Sequence, residues 1–292
     1  MIDAGIAIDA IPCLALDIGG TKIEGALVHP DGRIERRERL DTASLGEDLL
    51  TPICAMLDRV SQNDAPKVLG VGCAGPMTRG GEEVSPLNIQ QWDSFPLRAE
   101  LVKRLGLDVY IEGDARALAL AEGVFGSATL DEGYLSMVVS TGIGGGIVLD
   151  GRLLDGVSGN AGHVGHVNVV INGRPCSCGG NGCLEAEASG WAIEAITGKH
   201  PREADEFTRR RTAELVGRAV AALAVALDFD RCYIAGSVAL GFGDDFFTVA
   251  NQSARTLATL SFTSELKVSP SGLGVDGPIL GAALVGWRGD GQ

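Results

Sequence analysis

Residues 159–185 concentrate the groups in this chain best able to hold a metal. The segment reads GNAGHVGHVNVVINGRPCSCGGNGCLE. It carries His163 and His166, two of the four histidines, and Cys176, Cys178 and Cys183, three of the seven cysteines. Three thiolates and one imidazole are the ligand set of a closed, tetrahedral structural zinc site. Converging thiolates from one short segment needs turns with positive φ, which Gly179, Gly180 and Gly182 are expected to supply. Three cysteines leave one position for an imidazole, and the spacing alone leaves it open between His163 and His166. The histidine left over either faces a ligand or makes an ordinary hydrogen bond.

A second chemistry is legible in DIGGTK, residues 17–22. Gly19 and Gly20 let backbone N–H groups approach anionic oxygens, Thr21 adds a hydroxyl donor and Lys22 a cation. Asp17 can hold Mg2+ through water. In TGIGGG, residues 141–146, Thr141, Gly142 and Gly144 are placed to cradle the same phosphates from the other side. One glycine turn is usually only a hairpin; two in one chain, one with Asp and Thr, point to a nucleotide. Asp114 opens the run DARALALAE and has two readings. As a helix N-cap it would satisfy a free amide. As a base it would orient a substrate hydroxyl and accept its proton, which phosphoryl transfer requires beside positioning and charge neutralisation.

The elements that must place these residues follow from the apolar pattern. Residues 11–18, 21–28 and 33–40 read as strands joined by turns at Gly19-Gly20 and Asp31-Gly32. Residues 48–60 have helical period, 68–73 read as a strand, 97–105 as a helix and 109–112 as a short strand. This order builds a mixed sheet covered by helices. Strands at 134–139 and 147–149 flank the second glycine segment, so the chain reads as two related halves with a boundary near 115–130. Residues 186–196 and 203–227 read as helices, 232–235 as a strand ending at Gly236, and about 278–287 as a closing helix.

The composition of the 292 residues, 45% apolar and 21% charged, supports a folded core in one large or two moderate domains. A net charge of −14 argues against a nucleic-acid or anionic-membrane surface, so an anionic substrate needs local amides, a metal or placed cations. Cys13, Cys54, Cys73 and Cys232 sit in apolar runs and read as small buried side chains rather than as a disulfide framework. No signal peptide or membrane span is expected, and residues 1–10 read as a loose extension.

Together DIGGTK at 17–22, TGIGGG at 141–146, AGHVGH at 161–166, CSCGGNGCLE at 176–185 and IAGSV at 234–238 resemble the ROK family of bacterial sugar kinases and repressors, within the actin-like ATPase superfamily. The resemblance covers essentially the whole chain. It implies two actin-like (ribonuclease H-like) α/β lobes with an interlobe cleft and a zinc-bearing loop. The lobes would be residues 1–117 and 118–277, with a helix at about 278–292 packing back on the first. It also implies ATP- and Mg2+-dependent transfer of the γ-phosphate to a sugar hydroxyl, the 6-hydroxyl. Asp114 is then the catalytic base. His166 completes the zinc ligands with Cys176, Cys178 and Cys183 and also touches the sugar, and Glu185 hydrogen-bonds sugar hydroxyls. Gly75, Asn88, Gly113 and His163 fall on the sugar side. Asp17, Gly19, Gly20, Thr21, Lys22, Thr141, Gly142 and Gly144 face the nucleotide phosphates, and Gly236 packs by the adenosine.

Three positions depart from the family pattern: Gly113 where an asparagine usually precedes the aspartate, Arg116 where Asn or Gln is common, and His163 where a glutamate is usual. The histidine is shared with bacterial N-acetylmannosamine kinases. The resemblance therefore makes N-acetylmannosamine the expected acceptor, with glucose or another hexose, or a non-catalytic sugar-binding relative, as alternatives. Family repressors carry an N-terminal helix-turn-helix, and the roughly ten residues before the first strand leave no room for one. A cytoplasmic homodimer without nucleic-acid or membrane partners is expected.

Overall fold

In the computed structural model, which describes residues 11–62, 64–87 and 89–290, the apolar run CLALDI becomes the centre of a five-stranded sheet. The extension read for residues 1–10 lies outside the described residues. This central strand, β1 (Cys13–Ile18), turns into β2 (Lys22–Val28), and β3 (Ile34–Asp41) completes a meander. Helix α1 (Leu50–Ser61) leads to β4 (Val68–Cys73), α2 (Leu97–Leu105) leads to β5 (Asp108–Gly113), and α3 (Asp114–Val124) follows at once. The strand order is β3-β2-β1-β4-β5, with β1 antiparallel to β2 and β1, β4 and β5 mutually parallel. Every residue of β1 and β4 is buried, as expected of inner strands covered on both faces. The edge strand β3, IERRERLD, is charged and half exposed, which suits an unpaired edge.

The later chain repeats the plan. Strands β6 (Tyr134–Val139), β7 (Ile143–Leu149) and β8 (Arg152–Leu153) precede β9 (Arg231–Ala235) and β10 (Lys267–Pro270), in the order β10-β9-β6-β7-β8. Again the first strand is antiparallel to its hairpin partner and parallel to β9, which is parallel to β10. The expectation of two related halves holds strand for strand. Between β8 and β9 come α4 (Leu184–Ala188), α5 (Gly190–Thr197) and α6 (Glu206–Leu227). Between β9 and β10 come α7 (Ser237–Phe242) and α8 (Asp244–Leu257), and α9 (Gly277–Asp290) closes the chain.

The described residues form two compact units: 11–125 with 153–161 and 275–290, and Gly126–Arg152 with Gly162–Gly274. In the first, α3 runs unbroken past residue 117, and α9 packs on β1, β4, β5 and α3. That packing requires small residues. A Cβ at Gly70 would lie 1.9 Å from the Ala282 carbonyl oxygen, and one at Gly281 2.5 Å from that of Ala117.

Three local expectations are corrected. The helix expected over 186–196 is broken at Ser189, whose hydroxyl accepts from the Ala192 N–H and caps α5. Gly190 there donates its N–H to the Ser140 oxygen at 2.7 Å, a closeness only glycine permits. Gly144, Gly145 and Gly146 lie within β7, so the second glycine turn is only residues 140–142. Cys54 is half buried, whereas Cys13, Cys73 and Cys232 are buried as expected.

Candidate active site

In the first unit the chemistry-bearing residues gather at the C-terminal ends of the parallel strands, the usual ligand position of such sheets. Register sets them there: Asp17 on β1 pairs with Gly72 on β4, and Gly72 with Glu112 on β5. A Cβ at Gly72 would lie 3.6 Å from both Asp17 Oδ1 and Asp114 Cα, so the glycine keeps the floor between the two aspartates clear. Asp17 is buried, and that burial, with the Asp114 charge second, pushes its carboxyl up to about 7. A buried acid facing another carboxylate is short of positive charge, and a divalent cation held through water fits that need.

The turn from β1 to β2 is closed by the Gly19 N–H donating to the Lys22 oxygen at 3.0 Å. The N–H groups of Gly20 and Thr21 have no hydrogen-bond partner among the described residues, which leaves them available to phosphate oxygens. Lys22 is not a loose cation, because its ammonium binds Glu24 at 2.5 Å. Glu24 is buried, binds Arg37 and Arg39 as well, and was missed by the sequence reading although strand alternation puts it two residues from Lys22.

Gly113, not Asp114, is the N-cap residue of α3, and Asp114 stands as its first helical residue. Asp114 Oδ1 accepts from the adjacent Ala115 N–H at 2.7 Å. The N-cap reading is thereby displaced. Arg116 is buried, and its guanidinium pairs with Glu112 through two bonds of 2.7 and 2.9 Å and with Asp155 at 2.8 Å. Gly75 lies in the loop leaving β4, joined to Pro76 by a cis peptide. Asn88, expected on the sugar side, lies outside the described residues.

In the second unit the turn of Ser140, Thr141 and Gly142 again follows the first strand, with the N–H groups of Thr141 and Gly142 unpartnered among the described residues. Ser140 Oγ lies 3.0 Å from Ser237 Oγ at the start of α7, a hydroxyl pair that the spacing did not announce. Gly236, between β9 and α7, has φ of 103°, and a Cβ there would lie 2.3 Å from the Val139 oxygen. Only glycine closes that crossing. Glu185 Oε2 accepts from the Ile143 N–H at 2.8 Å, so one carboxylate oxygen is committed to the start of β7.

The AGHVGH segment forms a short 3-10 turn, Val164–His166, entered through His163. Its three-residue period brings the two imidazoles to one side, their centroids 6.2 Å apart. Gly162 has φ of 103°, and a Cβ at Gly165 would lie 2.1 Å from the Ile143 oxygen, so both glycines are required. His166 and not His163 meets the cysteines: the ligand atoms of His166, Cys176, Cys178 and Cys183 all lie within 4.8 Å of one another. His166 Nδ1 is 3.5 Å from Cys176 Sγ, and Cys178 Sγ is 3.7 Å from Cys183 Sγ. Tetrahedral zinc with metal–sulfur bonds of about 2.3 Å separates two sulfurs by about 3.8 Å, so this donor set fits the ion. Gly179 and Gly182 take positive φ as expected; Gly180 does not, and instead lies against the sulfurs of Cys178 and Cys183.

Purified protein should therefore carry about one zinc per chain. Cys178→Ser is expected to lose the metal and, because the loop's order depends on it, to melt about 5 °C or more below wild type. Elemental analysis paired with a melting curve checks both. A zinc-free preparation that melts like wild type would remove the metal from the account.

Against known proteins, the sequence model described as the ROK family matches residues 13–287. The chain is 34% identical to an N-acetylmannosamine kinase of Pasteurella multocida, over 79% of this chain and 83% of that one. It is 32% identical to a glucokinase of Thermotoga maritima, over 93% and 96%. Its fold is similar to that of a ROK family glucokinase from Streptomyces griseus solved with glucose and AMPPNP, with a TM-score of 0.83, 28% identity and coverage of 94% and 99%.

Proposed function

Because the chain belongs to the ROK family, we propose that it is an ATP- and Mg2+-dependent sugar kinase whose preferred acceptor is N-acetylmannosamine. The observation that carries the kinase reading is the pair of aspartates, Asp17 and Asp114, set side by side across Gly72 at the strand ends. Asp114 takes the proton of the attacking sugar hydroxyl, the 6-hydroxyl, and orients its oxygen toward the γ-phosphate. The open amides of Gly20, Thr21, Thr141 and Gly142 bind phosphate oxygens, and Gly236 leaves room for the adenosine. Asp17 would hold Mg2+ through water, and the ion would supply neutralising charge for the transferred phosphoryl group. His166, Cys176, Cys178 and Cys183 would hold a structural zinc ion, and holding it would fix the turn that carries His163.

The sugar is assigned to Gly75, Gly113 and Asp114, and to His163, His166 and the second oxygen of Glu185. His163 carries the acceptor choice. It is exposed at the head of the 3-10 turn and outside the metal ligands. A neutral imidazole offers one donor and one acceptor, so its N–H can meet an acetamido carbonyl, which a carboxylate cannot do. Wild type is expected to favour N-acetylmannosamine over glucose in kcat/KM by roughly a hundredfold or more, and His163→Glu to move the ratio toward glucose. Glucose used as well as N-acetylmannosamine by wild type would make the chain a glucokinase like its Thermotoga relative and remove the histidine argument.

A further inference from the structure

On the sugar-kinase reading above, we propose that Arg116 is a positioning residue for the acceptor: it clasps the strap Leu153–Ala161 to the start of α3. Its side chain is only 5% exposed, and its donors reach both ends of the strap. At the near end Nη2 binds Asp155 at 2.8 Å and Nη1 donates to the Leu154 oxygen. At the far end Nη1 donates to the Ala161 oxygen at 3.0 Å, two residues before His163. Asn160 adds a second fastening, with Nδ2 donating to the Met77 oxygen at 2.8 Å and Oδ1 accepting from the Met77 N–H. Between the fastenings the strap is open, and Val157 at its apex is 99% exposed.

The same cluster fixes the residue before the base. Glu112 Oε1, which binds Arg116 Nε, also accepts from the Gly113 N–H at 2.8 Å. A Cβ at Gly113 would lie 3.3 Å from Arg116 Cδ, so a side chain at 113 and the arginine stem compete for one space. Gly113 and Arg116, two of the three departures from the family pattern, are thus one compensated arrangement.

The physical reason for an effect on binding is entropic. The strap sequence LLDGVSGNA carries Gly156 and Gly159 at positive φ, so without the clasp it samples many conformations. A sugar that needs one of them then binds more weakly by the fraction in which that one is populated. Turnover of bound sugar changes little, because Glu112 still holds Gly113 and hence Asp114.

Arg116→Gln is the direct test. The expected result is a sugar KM raised about tenfold or more, with the ATP KM and kcat within about threefold of wild type. Hydrogen exchange in peptides covering 153–161 should quicken in the same variant. Arg116→Lys should behave like Gln, since one ammonium cannot span Glu112, Asp155 and two carbonyls. Gly113→Ala should raise the sugar KM in wild type and do so less in the Arg116→Gln background. An unchanged sugar KM, unchanged strap exchange, or parallel shifts in both KM values and kcat would overturn the proposal. If Arg116→Gln does not fold, Asp155→Asn, which removes one half-exposed arm of the clasp, must show the same shifts at smaller size, and wild-type values there overturn it. A wild-type chain that phosphorylates no sugar would instead overturn the kinase reading.

Discussion

Asp114→Asn should give a folded protein that binds ATP as wild type does and turns over at least about a hundredfold more slowly. Asparagine keeps the size and polarity of the side chain at the first position of α3 but cannot take up the hydroxyl proton. The alternative reading, a helix N-cap, is already displaced because Gly113 holds that position. The variant should also be no less stable than wild type at pH 8, since removing the Asp114 charge relieves the buried Asp17. Steady-state kinetics and a melting curve on one preparation separate the readings. Near-normal kcat with a lowered melting temperature would make Asp114 structural.

The second large effect has opposite signs for stability and activity. Asp17 has a folded-state pKa of about 7 against an ordinary 3.8, because burial and the Asp114 charge oppose ionisation. A carboxyl whose folded pKa is raised contributes stability below its unfolded pKa. That contribution is lost as pH climbs from about 4 through about 7. Asp17→Asn cannot ionise, so without nucleotide it should be more stable than wild type at pH 8, by an amount on the order of a few kcal/mol. The advantage should shrink as pH falls toward 4 to 5. The same variant should lose most of its activity, having no charge with which to hold hydrated Mg2+. Adding Mg2+ and nucleotide should stabilise wild type more than the variant, because a ligand that binds only the folded state adds stability by mass action. A variant less stable than wild type at pH 8 would contradict an acid whose ionisation is opposed by burial and by the Asp114 charge.

How much of this was legible in the sequence differs between local and distant features. Strands 68–73 and 134–139 and helix 97–105 match the sequence pattern to the residue because glycine or proline bounds them and their apolar pattern is local. Helix α8 went unread, since its buried face mixes Phe246 and Phe247 with the weakly apolar signals of Ala250 and Ala254. The break at Ser189 was invisible because its cause, the approach of Gly190 to Ser140, lies 50 residues away in the chain. Glycines 144–146 read as a loop, yet Gly145 sits in β7 because a Cβ would strike the Ser136 oxygen and Val164 at 2.9 Å. The metal ligands were legible as a set, because thiolate spacing within one segment encodes the geometry. Spacing alone does not choose between His163 and His166; the family resemblance does, and the turn at 164–166 brings His166 to the cysteines. The apposition of Asp17 and Asp114 is a product of parallel register across β1, β4 and β5, which no local pattern states. For the same reason Arg116 could be noticed as unusual but not recognised as a clasp.

The most direct measurement incubates zinc-replete protein with ATP, Mg2+ and a panel of hexoses and N-acetylhexosamines, following ADP and identifying the product by mass and phosphorus NMR. One sugar monophosphate should form per ADP, phosphorylated on the 6-hydroxyl, fastest with N-acetylmannosamine and abolished to within about one per cent by Asp114→Asn. Folded, zinc-loaded protein that forms no sugar phosphate with any member of the panel would contradict the kinase reading.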